Sequence, residues 1–332
     1  MNLVNRPFKK AAISTLLTAL FSLTAAISHA ATQAQWPTQP VKIIVAFTAG
    51  GTTDILAREV GNGLTQKWGQ SVVVENRPGA GGNIGTREAI NAKPDGYTIL
   101  INSIGPIAIN PSLYKNLGYD TQRDLKALTM VADVPNVLVV APSLNIKSVE
   151  QLVEAIKKDP KHYNCASTGV GTSAHLSCEL LARSTKLPIT HVPYKGAGAL
   201  IDVIAGRVQF MFATLPSVKG HLKSGALIPL AVSTAKPSPA LPGVPTMKDA
   251  GYPDFALGAW FGFFAPKGTP DYITDKISAD IDQLIHQPAI KEKLLAEGAE
   301  PVGGTPAEFG AFVASESLKW GGLVKDLNIS LD

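Results

Sequence analysis

Clustered basic charge is what this 332-residue sequence most plainly lacks. Lys and Arg total 30 against 26 Asp and Glu, a formal charge of +4. No basic run and no basic patch interleaved with aromatics accompanies that excess, so a nucleic-acid partner is not expected. Three of the basic residues, Arg6, Lys9 and Lys10, stand in the first ten positions, and without them the balance is 27 against 26. Cysteine is nearly absent, Cys165 and Cys178 being the only two. Without a matching histidine pattern they make no zinc site, and neither H-E-x-x-H nor G-x-S-x-G occurs. No metal and no cofactor is expected. Spaced 13 apart, the two cysteines could form a disulfide in an oxidising compartment; two inert buried thiols are the alternative. Beyond the N-terminus no apolar run is long enough to span a bilayer. Sequence repeats and low-complexity tracts are absent too.

What is present begins with an address. The three early basic residues precede an uncharged apolar run from Ala11 to Ile27, and Ser28-His29-Ala30 then offers small residues at the −3 and −1 positions. This is the layout of a secretory signal cleaved after about Ala30. The expectation is an exported, periplasmic, soluble chain, with residues 1–30 as the signal peptide.

The remainder alternates strand and helix patterns. Val41 to Ala46 is a β-branched run ended by Gly50-Gly51, and Thr52 or Thr53 caps a helix with Leu56, Val60, Leu64 and Trp68 on one face. Val72–Val74, Thr98–Ile101, Val137–Ala141, Val208–Phe212 and Leu230–Val232 read as further strands. Ser148 to Gln151 reads as a capping box. Ile273, Ile277, Ile281, Leu284 and Ile285 form another apolar helix face, and Thr305-Pro306-Ala307-Glu308 opens a last helix. Such alternation predicts α/β architecture with mostly parallel sheets, whose ligands sit beyond the carboxyl ends of the strands.

Three loops after strands therefore carry the functional expectation. They are Phe47-Thr48-Ala49-Gly50-Gly51-Thr52-Thr53-Asp54, Asn102-Ser103-Ile104-Gly105-Pro106, and Ser167-Thr168-Gly169-Val170-Gly171-Thr172-Ser173-Ala174-His175. All are rich in Gly, Ser and Thr and free of Lys and Arg, and two feed helix N-termini. Free amide N–H groups at a positive helix end form an anion site. Tight turns and helix caps explain the same residues without a ligand. Asp54 reads as a ligand-amine contact or as a complement to the helix dipole, the latter preferred. His175 is a base beside Ser167 or Ser173, a ligand donor, or a packed imidazole. Lys195 reaches an anion or stands in solvent. Trp260, Phe261, Phe263 and Phe264 are core or an apolar wall.

Taken in order, several segments carry a family resemblance. They are Lys42-Ile43-Ile44-Val45, Phe47 to Asp54, Glu75-Asn76-Arg77-Pro78-Gly79-Ala80-Gly81-Gly82-Asn83-Ile84-Gly85, Pro94-Asp95-Gly96-Tyr97-Thr98, Ser167 to His175, Val192-Pro193-Tyr194-Lys195-Gly196 and Ala265-Pro266-Lys267-Gly268-Thr269-Pro270. The chain resembles the periplasmic solute-binding proteins of tripartite tricarboxylate transporters, the Bug family, over nearly all its length. The resemblance implies a two-lobe periplasmic-binding-protein-like fold of type II with the ligand cleft between the lobes. Residues 31–130 plus about 255–303 would form one lobe, and about 131–254 plus 304–332 the other. It implies that a small carboxylate is held by Phe47, Thr48, Ala49, Gly50, Gly51, Asp54 and Ser103 from one lobe. The other would contribute Ser167, Thr168, Gly171, Thr172, His175, Tyr194, Lys195, Gly196, Ala213 and Thr214. Where relatives commonly place an acid in Met-Phe-Asp-Asn-Leu-Pro-Ser, this chain reads Met211-Phe212-Ala213-Thr214-Leu215-Pro216-Ser217, which turns the expectation from an amino acid toward a plain carboxylate. The expected partners are the membrane permease subunits of a tripartite tricarboxylate-type transporter, or the ectodomain of a sensor kinase. A monomeric binding protein, not an enzyme, is expected; the rival is a secreted serine hydrolase.

Overall fold

A run of β-branched residues with both faces covered makes the first strand. In the computed structural model, which describes residues 36–326 with 330 and 331, Val41–Val45 (β1) is buried at four of its five positions. The expected signal peptide, residues 1–30, lies outside the described residues. Gln39–Asp332 forms one compact unit, which holds the strands and helices of both lobes.

Strand β1 pairs in parallel with Val72–Asn76 (β2) and Thr98–Ser103 (β3). The remaining strands are Leu125–Val140 (β4), Asn164–Ser167 (β5), Thr190–Pro193 (β6), Phe210–Thr214 (β7), Ile228–Val232 (β8), Gly258–Pro266 (β9) and Glu300–Gly303 (β10). Helices of seven or more residues are Thr52–Trp68 (α1), Asn83–Ile90 (α2), Val149–Lys158 (α3), Ser173–Thr185 (α4), Gly198–Ile204 (α5), Leu215–Lys223 (α6), Asp271–Ile285 (α7), Pro288–Ala296 (α8) and Pro306–Asp326 (α9). Among these described residues no helix is long and apolar enough to cross a membrane.

The strand order is β2-β1-β3-β9-β4-β7-β5-β6, with β8 and β10 also on β4. Parallel pairing, expected from the βα alternation, holds for β1 to β3 and for β5 with β6 and β7. Strands β4 and β9 add antiparallel, so the sheet as a whole is mixed. The reason is β4. Its 16 residues pair with β9 up to Pro135, and from Asn136 to Val140 they pair with β7 and β8 instead. One strand thus runs through both lobes. A second crossing runs through Ser233, whose N–H reaches Asn136 O, to Leu257, whose N–H reaches Ser233 O.

Each lobe keeps its own core. Ile43, Val45, Leu56, Val60, Ile99 and Ile101 are buried in the first, while Val137, Val139, Leu200, Met211 and Val218 belong to a cluster in the second. The last helix, α9, starts where its capping residues predict, with Glu308 Oε2 accepting from Thr305 N–H and Oγ1–H. It packs on β4 and on the Gly105–Ile109 and Asn110–Leu113 turns that follow β3.

Candidate functional site

Three helices begin at the carboxyl ends of strands and open onto the same cavity. Helix α1 follows β1, α4 follows β5 and α6 follows β7. Thr52, Thr53, Ser173, Ala174, Thr214 and Ser217 from their first turns line the cavity, whose volume is about 70 Å³. In each first turn the leading N–H groups have no intrahelical acceptor, and the aligned peptide dipoles add a positive potential. The lining contains no Lys, Arg, His, Asp or Glu. Its polar atoms are amides and hydroxyls, and Leu200, Met211, Phe212, Ala213 and Phe261 supply the apolar wall. Such a surface favours a small anion with an apolar body and offers an ammonium group no carboxylate.

Local chemistry explains why each loop is held open to the cavity. Asp54 is buried and braces the first loop from behind. Its Oδ2 accepts from Gly50 N–H at 3.0 Å and from Arg58 Nε at 2.9 Å, and its Oδ1 accepts from Asn76 Nδ2 at 2.9 Å and ion-pairs with Arg58 Nη2 at 2.9 Å. Burial alone would push its carboxyl up, but Arg58, the Gly50 amide and Asn76 together hold it below the usual carboxylate range. In the second loop Thr172 caps α4, its Oγ1 accepting from His175 N–H and donating to Gly169 O at 2.7 Å. Cys165 and Cys178 are joined by a disulfide that brackets this loop.

The loops also touch across the cleft. Thr48 Oγ1 accepts from Ala197 N–H at 3.0 Å, and the Thr52 and Thr214 hydroxyls lie 2.7 Å apart. Gly196, at φ 75°, faces Thr48 so closely that a Cβ there would collide with the Thr48 side chain. This is a place where only glycine fits.

Of the residues expected from sequence, the cavity gathers Phe47, Thr48, Gly50, Gly51, Ser103, Thr168, Thr172, Gly196, Ala213 and Thr214. Ala49 is exposed beside it. Asp54, Ser167, Gly171, His175, Tyr194 and Lys195 do not line it: Asp54 braces from behind, the Tyr194 hydroxyl donates to Asp202 at 2.6 Å, and Lys195 stands in solvent. Asn136, Ser217 and Leu200 line the cavity without being among the contacts expected from sequence, and Phe261, read as core or an apolar wall, lines it as part of that wall. Asn136 has one signal, being the sole amide in the apolar run Val134 to Val140. Trp260, Phe263 and Phe264 are buried core.

Among the described residues, neither Ser167 nor Ser173 is hydrogen-bonded to His175, the pairing the hydrolase reading named. His175 Nδ1 accepts from Gly171 N–H at 3.2 Å, and the Ser173 hydroxyl donates to Asn136 Oδ1 at 3.2 Å. Ser167 is fully buried, its hydroxyl 3.0 Å from Gly169 O and 2.7 Å from His191 Nε2. His175, Glu179 and His191 bring metal-ligand atoms within 4.8 Å of one another. The two imidazoles face each other at 4.2 Å between centroids, tilted by 32° between planes.

The same cluster makes stability pH-dependent. Burial, with His175 beside it and Glu179 opposing, depresses His191 from 6.5 to about 4. The unfolded chain therefore takes up a proton below pH 6.5 that the folded chain refuses until about pH 4. Stability is complete above pH 6.5 and declines toward pH 4. After allowance for partial exposure, His191 accounts for roughly 2 kcal/mol of that decline. Urea unfolding of the wild type and His191→Gln at pH 7 and pH 4.5 checks this. The variant loses less by about that amount, and equal losses refute it.

Residues 56–329 match the model of the family described as tripartite tricarboxylate transporter family receptor. Protein BugT of Bordetella pertussis is 38% identical over 314 residues, covering 94% of this chain and 96% of the relative. The solved structure of a Rhodopseudomonas palustris protein with adipate has a TM-score of 0.87 at 38% identity, covering 89% of this chain and 99% of that one. MatC from Rhodopseudomonas palustris with bound malate has a TM-score of 0.83 at 29% identity, covering 87% and 100%.

Proposed function

From the premise that this chain belongs to the tripartite tricarboxylate transporter receptor family, we propose that it captures a small organic carboxylate in the periplasm and delivers it to a membrane permease of that transporter type. One observation carries the reading: the open first turns of α1, α4 and α6 face a single cavity that no charged side chain lines. Amide and hydroxyl donors around a carboxylate each contribute on the order of 1.5–3 kcal/mol, and the three dipoles add to them. Relatives with adipate and with malate agree with an acidic guest.

The capture is a hinge closure. The lobes part about the two crossings, at Pro135–Asn136 of β4 and near Ser233–Gly258. The cavity of about 70 Å³ is small against the several hundred Å³ common for ligand sites, so a guest enters when the lobes separate and is enclosed when the Thr48–Ala197 and Thr52–Thr214 contacts form. Residues 304–332, grouped by sequence with the second lobe, include α9, which packs on Gly105–Leu113; we assign that helix to the first lobe.

The experiment is to strip bound solute by unfolding and refolding, then to titrate organic acids by calorimetry and thermal shift. A true ligand at 100 times its dissociation constant adds about 2.7 kcal/mol of stability. If no acid binds or stabilises the chain, the reading fails.

A further inference from the structure

A separate group of donors stands in the second lobe, outside the cavity. His175 and Glu179 are one turn apart on α4 and share a face, with His175 Nε2 3.6 Å from Glu179 Oε1. His191 comes from β6 and lays its ring against that of His175. One donor atom from each of the three lies within 4.8 Å of the other two. None of them lines the cavity, so the capture of a carboxylate leaves them without a task. Among the described residues Glu179 pairs with no Lys or Arg, and its partners are the two imidazoles. The group is therefore not an ordinary surface ion pair.

We infer that His175, Glu179 and His191 bind one first-row divalent metal ion of the zinc class. Two imidazoles and a carboxylate are a recurring zinc donor set, with water in the fourth place. Imidazole suits zinc, copper and nickel, whereas magnesium and calcium take oxygen ligands. Ligand atoms at 2.0–2.2 Å from a tetrahedral ion stand roughly 3.4 Å apart. The His175–Glu179 pair is close to that already. Rotation of Glu179, whose side chain is 32% exposed, closes the rest and gives the ion its way in. The Ser167 hydroxyl, 2.7 Å from His191 Nε2, steadies that ring from β5. Both cysteines are in the disulfide, so no thiolate competes. Coordination at His175 Nε2 places the ring proton on Nδ1, and the Gly171 N–H that Nδ1 accepts gives up that bond. The ion replaces it with a tie between α4, which begins after Thr172, and β6, which leads to Gly196. Both of those residues line the cavity.

Zinc sulfate and magnesium sulfate, titrated calorimetrically into the untagged protein after removal of metals by a chelator, are the probes. Zinc binds at one ion per chain with a dissociation constant of about 10 µM or tighter, and magnesium does not bind. His191→Ala weakens zinc binding by about 30-fold or more, and Glu179→Gln by about tenfold or more. His286→Ala, which removes an exposed histidine elsewhere, leaves it within about twofold. If His191→Ala does not fold, Glu179→Gln, at a partly exposed position, and the cobalt(II) spectrum of the wild type decide. Cobalt gives the visible bands of nitrogen and oxygen ligands without thiolate charge transfer. Zinc binding weaker than about 10 µM overturns the inference, as does unchanged affinity in Glu179→Gln or an equal loss in His286→Ala. Failure of every organic acid to bind overturns the carboxylate reading and leaves this site standing.

Discussion

Replacing Gly105 by alanine weakens the binding of any acid guest by roughly 100-fold or more, while the ligand-free chain keeps its fold. A Cβ at this position lies 2.7 Å from Gly171 O and 3.3 Å from Thr172 Cα. Both atoms are main chain and belong to the loop of the opposite lobe, so no rotamer change relieves the contact. Gly105 does not have a positive φ, and alanine suits its helical turn. The added methyl therefore opposes closure, not folding of the first lobe. Apparent affinity falls in proportion to the closed fraction, and 100-fold corresponds to about 2.7 kcal/mol. Gly81 also meets the opposite lobe, at Val170 O, but its φ of 62° would mix backbone strain with the wedge. Gly105 is the cleaner position. Calorimetry gives the affinity, small-angle scattering reports a more open particle with ligand present, and circular dichroism checks the fold. Wild-type affinity in Gly105→Ala would mean that the lobes do not close as proposed.

Removing the disulfide has the largest expected effect on stability. Cys165 is bonded to Cys178 across 13 residues, and cross-linking a loop of that size stabilises by about 3 kcal/mol in the chain-entropy model. The loop it closes contains Ser167 to His175, the whole second glycine-rich segment. Cys165→Ala with Cys178→Ala is therefore expected to lower the melting temperature by roughly 5 °C or more. It also weakens ligand binding, because Thr172 and the start of α4 lose an anchor at each side. Reduction of the wild type should reproduce both losses. A double variant that melts and binds like the oxidised protein would show that the bond constrains nothing of consequence.

These two effects rest on different layers of information. The start of α1 after Gly50-Gly51, the capping of α4 by Thr172 and the Thr305–Glu308 start of α9 are legible in the sequence, because local hydrogen bonds within one turn decide them. So is the polarity of the site: glycine and hydroxyl residues without Lys or Arg mark a surface whose donors are main-chain amides. The resemblance over the whole chain then orders these loops into two lobes. Asp54 reads as a complement to the helix dipole, and it does sit in the first turn of α1. Its bonds to Asn76 and Gly50 come from β2 and from the loop, contacts that spacing along one helix does not reveal.

What the chain order cannot express is which side of an element faces the cavity. Tyr194 and Lys195 share a segment with Gly196, yet their side chains leave the cleft and Gly196 enters it, because a turn points successive residues in different directions. His175 is one residue beyond Ala174 and turns toward His191 instead. Asn136 sits in a run of valines and leucines that looks uniformly buried, and only the crossing of β4 from one lobe to the other brings its amide beside Thr214. Local sequence thus determined an α/β chain with donor-rich turns. The tertiary structure alone decided which donors meet, because convergence of loops about 120 residues apart depends on how the lobes pack and not on any neighbour in the chain.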